Sequence, residues 1–133
     1  MENKKEDFKK MLIANKDISN YNTSSVTYMS FMFEDASSFN QDISMWDVSN
    51  VTNMSFMFVN STYFNQDISM WDVSKVTNMA WMFKGASSFD QDISMWDVSK
   101  VKDYEGIFND CPIKLRNMPK KFRKYYENDI SRH

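Results

Sequence analysis

Hydrophobic positions along this chain recur every 25 residues, with Ile18, Ile43, Ile68 and Ile93 heading four successive units. Within the unit 68–92 the apolar positions are Ile68, Trp71, Val73, Val76, Met79, Met82, Phe83, Ala86 and Phe89. Trp71 and Val73 alternate with Met70, Asp72 and Ser74, the inside/outside pattern of a short strand. Val76, Met79, Met82, Phe83 and Ala86 recur at three and four, which places them along one face of a helix. The pattern therefore predicts an α/β repeat of four coils, each reading strand, turn, helix and return. An isolated coil of this kind leaves its strand unpaired and its apolar face uncovered, so stacking is required.

The register is kept without insertion. Units 43–67 and 68–92 are identical at 16 of 25 positions. The series Trp46, Trp71, Trp96 and Phe33, Phe58, Phe83, Phe108 hold step, as do Asp42, Asp67 and Asp92. Strands stack about 4.8 Å apart and helices about 8–10 Å, so the strand side is expected to be concave. The expected organisation is one domain: an N-terminal cap over 1–17, a four-coil array over 18–110, and a C-terminal part over 111–133. Phe8, Met11 and Leu12 share one face of the first cap. In the last part Ile113 and Leu115 suggest an edge strand, and Pro119 opens a helix carrying Phe122, Tyr125, Tyr126 and Ile130.

Composition removes many functions. The chain has 133 residues and a net charge of -2, with one histidine, one cysteine, two glycines and two prolines. Disulfide frameworks, Cys/His zinc sites, histidine acid-base chemistry and Gly-rich phosphate loops are all excluded. Serine nucleophiles lack a base, and a uniform carboxylate ladder offers no contrast between a protonated and an ionised member. No enzyme activity and no cofactor are expected. With two glycines, turns fall to hydroxyl and Asx side chains: Ser74 reads as a helix N-cap, and Asn65, Gln66 and Asp67 as an Asx-rich turn. No apolar run reaches the length of a membrane span, and the acidic start 1–7 reads as no export signal.

If Trp71 and Val73 point inward, three ladders line the concave face: Met45, Met70, Met95; Asp47, Asp72, Asp97; and Ser49, Ser74, Ser99. Exposed methionines suit an adaptable protein-binding surface, although identical coils also copy residues without need. Aspartates about 5 Å apart repel by roughly 3 kcal/mol per pair at an effective dielectric near 20, so donors or a cation must offset them. Serine hydroxyls and turn amides are the first choice and calcium the sharper alternative, with no metal ligand assigned. The series Asp17, Asp42, Asp67, Asp92 reads as turn structure because every coil carries it. The tryptophan series reads as core rather than as a stacking platform. A basic patch of Lys114, Arg116, Lys120, Lys121, Arg123 and Lys124 opposes the acidic repeats and offers phosphate or anionic-surface binding.

The words FNQDIS-x-WDVS-x-VTNM-x-x-MF at 39–58 and 64–83, with a variant at 89–108, resemble the BspA-like leucine-rich repeat surface proteins, specifically their mollicute-type branch of unknown function. The resemblance covers most of the chain. It implies a right-handed leucine-rich-repeat solenoid with its leucines exchanged, display at the bacterial surface, and binding of other proteins. The functional expectation is a non-enzymatic protein-interaction module, adhesin-like, binding an unidentified partner on the concave face. The alternative is a cytosolic adaptor or a nucleic-acid or anionic-surface binder using the basic segment. A monomer is favoured, nucleic acid is disfavoured as a partner, and location stays open between surface and cytoplasm.

Overall fold

The computed structural model describes residues 9–12, 14 and 16–133. All nine apolar positions of the unit 68–92 are buried, and so are their counterparts in the unit 43–67, while in the end coils Tyr21, Ala36, Tyr104 and Lys114 are only half-buried. Burial therefore follows the sequence pattern. Secondary structure does not.

The strand–turn–helix coil is not what forms, and with it falls the expected α/β leucine-rich-repeat solenoid. Among the described residues there is no strand, and the helices are a single turn at 9–12 and three short 3₁₀ helices, Leu115–Asn117, Lys120–Tyr125 and Ile130–Arg132, all beyond the fourth coil. Each coil is instead a chain of turns. The segment expected to be a helix carries the coil-to-coil contact, and the segment expected to be a strand carries no backbone ladder.

The hydrogen bonds explain why the period misled. Alternate amides of one segment donate to the next coil: Met54 to the Asn78 carbonyl at 2.9 Å, Phe56 to Ala80 at 3.0 Å, Phe58 to Met82 at 2.8 Å and Asn60 to Lys84 at 2.8 Å. The amides between them turn back within the coil, Met57 to the Met54 carbonyl, Val59 to Phe56 and Ser61 to Phe58. These i to i−3 turns produce the three-and-four spacing of a helix without its i to i−4 bonds. The same bonds recur one coil earlier, where Met29, Phe31, Phe33 and Asp35 donate to Asn53, Ser55, Met57 and Val59. One coil later Met79, Trp81, Phe83 and Gly85 donate to Asp103, Glu105, Ile107 and Asn109. Single parallel bridges join Tyr28, Asn53, Asn78 and Asp103, and no sheet is built from them.

A continuous helix is also barred by the backbone. Phe31, Phe56, Trp81 and Gly106 have φ of 62, 58, 59 and 61°, and Asp35, Asn60, Gly85 and Asp110 have 58, 56, 71 and 58°. Two left-handed residues per coil fix the turns. Aromatic residues adopt this region at a cost, which the coil-to-coil bonds on the same residues offset. Phe31 and Phe56 also stack at 4.7 Å and 5°. At Gly106 the register holds no side chain because the Trp81 indole fills the space that an added Cβ would take.

Two phenylalanine columns run through the stack. Phe33, Phe58, Phe83 and Phe108 follow one another at 5.4, 5.4 and 5.9 Å. Phe39, Phe64 and Phe89 follow at 5.6 and 5.9 Å. Within each coil the two columns meet at 4.1 to 4.3 Å. Beside them each buried indole donates to a carbonyl of the preceding coil: Trp46 Nε1 to Ile18 O at 3.0 Å, Trp71 to Ile43 at 3.1 Å and Trp96 to Ile68 at 3.0 Å. Tryptophan is thus a clamp as well as core.

The end of the stack departs from expectation too. No edge strand forms at Ile113 and Leu115, and the basic helix shrinks to 3₁₀ turns. Phe122 packs on Tyr104 at 4.6 Å and edge-on against Phe108 at 6.2 Å, closing the column, whereas Ile130 is 81% exposed. At the other end Met11 and Leu12 pack against the core, while Phe8 lies outside the described residues.

Trp71→Phe keeps most of the buried ring but leaves the Ile43 carbonyl without its donor. Urea unfolding is expected to show a loss of about 1–3 kcal/mol, against less than about 0.5 kcal/mol for exposed Met70→Ala.

Candidate functional site

The face expected to bind a partner is built from two Asx turns per coil. Asp67 Oδ1 accepts the Ser69 amide at 2.9 Å, and Asp72 Oδ1 accepts the Ser74 amide at 3.0 Å. Asp42, Asp47, Asp92 and Asp97 repeat this with Ser44, Ser49, Ser94 and Ser99. In the first coil Asp17 serves Ser19 and Asn22 serves Ser24. These turns supply the bends that glycine would otherwise make. Ser74 is consequently no helix N-cap, because its amide is the donor of an Asx turn.

Between the two turns the chain turns one side chain out and the next in. Met45, Met70 and Met95 are 86, 86 and 88% exposed, while Trp46, Trp71 and Trp96 are buried. Asp47, Asp72, Asp97 and Ser99 are exposed, with Ser49 and Ser74 half-buried. The nine residues therefore form one face, three per coil, on turns rather than on a strand ladder.

Electrostatics on this face are settled locally. Hydrogen bonds from the Ser74 hydroxyl and then its amide hold the Asp72 carboxyl below its usual value, and Lys75 adds to this, against slight desolvation and the repulsion of Asp97. Asp47 and Asp97 are lowered in the same way by Ser49 and Ser99. Asp67 is lowered by Ser69 although Asp42 and Asp92 both oppose it. Serine donors outweigh the repulsion between stacked carboxylates, which solvent weakens at these exposed positions. Among the described residues no group of three or more His, Cys, Asp or Glu side chains is placed to hold a metal ion.

The asparagine and glutamine of the FNQD word do more than turn the chain. Asn40 Oδ1 accepts the Asn65 amide at 2.9 Å and Asn65 Oδ1 accepts the Asp90 amide at 3.0 Å. Gln66 Nε2 donates to the Asn40 carbonyl at 2.8 Å. These are bonds between coils. Their recurrence, with Asp90 replacing the asparagine in the third copy, was the available signal.

Half of the basic patch is bonded to backbone carbonyls of the fold. Lys114 Nζ donates to the Ser131 carbonyl at 2.9 Å, Lys121 Nζ to Val101 at 2.6 Å, and Arg123 Nε to Met118 at 3.1 Å. Lys124 lies 5.2 Å over the Tyr125 ring, and Arg116 and Lys120 are exposed. Two residues that the repeat could not reveal, being single copies, complete this end. Arg132 is 7% exposed and donates to the carbonyls of Cys111, Ile113 and Phe108, with Asp129 on its Nε at 2.9 Å. Tyr126 Oη accepts the Phe108 amide and donates to Asn109 Oδ1, both at 3.0 Å. Cys111 is buried, and desolvation pushes its thiol up to about 12.

These observations define a repeat protein in which 25-residue coils of turns stack through backbone, amide and indole bonds, with one uniform face turned outward. The chain belongs to the family of Mycoplasma proteins of unknown function, DUF285, whose profile matches residues 2–122. No curated protein matches it, and no solved structure matches it. Among the described residues no helix is long and apolar enough to cross a membrane.

Carboxyls lowered in the native state contribute stability above the unfolded value of 3.8 and lose it as pH falls through their folded values. Thermal melting is therefore expected to be flat from pH 7 to about 5 and to fall steeply below pH 4, and Asp72→Asn is expected to reduce that acid dependence while keeping the turn, as Asn22 does. A buried, poorly ionised Cys111 is expected to resist a disulfide reagent at pH 8 in native protein and to react at once in guanidinium.

Proposed function

We propose that this chain is a non-enzymatic protein-interaction module that binds its partner on the face carrying Met45, Met70 and Met95 with Asp47, Asp72, Asp97, Ser49, Ser74 and Ser99. The observation that carries the reading is the exposure of three large thioether side chains, 86 to 88%, in register on a surface whose aspartates and serines pair with each other in Asx turns. Seven other methionines, Met29, Met32, Met54, Met57, Met79, Met82 and Met118, lie buried in the core, so exposure is not general to the residue type. Flexible thioethers adapt to a partner's shape, and the flanking carboxylates favour partners with basic groups beside an apolar patch. The resemblance of the FNQDIS words to those of BspA-like surface proteins supports an adhesin-like setting for this binding. The basic segment supports the competing reading less well, since Lys114, Lys121 and Arg123 are engaged with backbone carbonyls.

The test is a partner-binding assay on the intact chain and on Met70→Glu combined with Asp72→Lys, with melting curves to verify folding. Binding is expected to fall at least about tenfold in the folded double variant, with a parallel loss at high salt. Unchanged binding by that variant, together with loss on neutralising Arg116, Lys120 and Lys124, would overturn the reading.

A further inference from the structure

In each of the first three coils four alternate amides donate to the following coil. Their counterparts in the fourth are Tyr104, Gly106, Phe108 and Asp110, where no fifth coil follows. Tyr126 Oη takes the Phe108 amide. Among the described residues the amides of Tyr104, Gly106 and Asp110 have no acceptor. Tyr104 and Gly106 line a cavity of about 500 Å³ between this edge and the cap, whose other walls include Tyr125, Tyr126, Asp103 and Glu105. The stack is therefore closed over its core by Phe122 but left open along its ladder.

We propose that this groove is a second interaction site, distinct from the methionine face, that takes an extended peptide segment of a partner protein by adding it to the ladder. The donors two residues apart, Tyr104 and Gly106, match alternate carbonyls of an added segment, as the Asn78 and Ala80 carbonyls match the Met54 and Phe56 amides between the second and third coils. The Tyr104 and Tyr125 rings, 5.6 Å apart, provide a wall for an apolar side chain. Asp103 and Glu105 place two carboxylates on the lining beside the ammonium of Lys102, while Lys121 and Lys124 lie over the Tyr104 and Tyr125 rings, so a lysine or arginine of the segment pairs on the Asp103 and Glu105 side of the groove.

A probe exists within the chain. The synthetic peptide 75–84, KVTNMAWMFK, carries the carbonyls of Asn78, Ala80 and Met82 that already accept ladder bonds, and lysines at both ends. Titrated into ¹⁵N-labelled intact protein, it is expected to move the Tyr104 and Gly106 amide resonances downfield and to slow their hydrogen exchange about tenfold, leaving Met45, Met70 and Met95 unmoved. Glu105→Lys, or glutamates in place of both peptide lysines, is expected to weaken binding at least about fivefold. Three results overturn the proposal: no binding at millimolar peptide, binding without those amide shifts, or shifts that track protein concentration without peptide, which would make the occupant a second copy of this chain.

Discussion

A 25-residue coil in this protein cannot satisfy its own backbone, and every other feature depends on the bonds it makes with its neighbour. Half of the amides in the ladder segment close turns inside the coil, and the other half reach out along the stack. The register is thereby fixed residue by residue, since a shift of one position would exchange the two sets of amides. Left-handed backbone at Phe56 and Asn60, and at their counterparts, is what lets one segment do both. The phenylalanine columns, the indole donors and the asparagine and glutamine clamps then fall into place at the spacing the backbone sets.

Satisfaction of the interior leaves the methionines of one face with nothing to do for the fold. Asp72 and Ser74 serve each other and Trp71 serves the preceding coil, so Met70, between them, is free of structural duty. Its repetition at Met45 and Met95 turns a single exposed apolar residue, which would need no explanation, into a continuous strip. Such a strip grows with the number of coils, which suits a surface whose reach is set by repeat number.

What the sequence revealed was periodic. Most of the buried set, the inward tryptophans, the outward methionines and the turn at Asp67 were legible from recurrence and residue type, whereas the second turn, at Asp72, was hidden behind the expected N-cap at Ser74. The local backbone was not, because i to i−3 turns and an α-helix produce the same spacing of Val76, Met79, Met82 and Phe83, and left-handed φ at an aromatic such as Trp81 leaves no mark in the residue identity. Glycine at 85 and 106 was a hint at two of the left-handed positions. Arg132 and Tyr126 occur once each and lie beyond the repeat, so periodicity had nothing to say about their bonds to Phe108.

The stacking register is tested most directly by cross-linking along the methionine strip in a Cys111→Ser background. Disulfides need Cα atoms about 4.4–6.8 Å apart, and neighbouring coils bring equivalent rings to 5.4 Å. Pairing Met45→Cys with Met70→Cys, and Met70→Cys with Met95→Cys, should each give rapid intramolecular oxidation, whereas Met45→Cys with Met95→Cys, two coils apart, should give none. Equal oxidation of all three pairs, or of none, would contradict a stack of 25-residue coils.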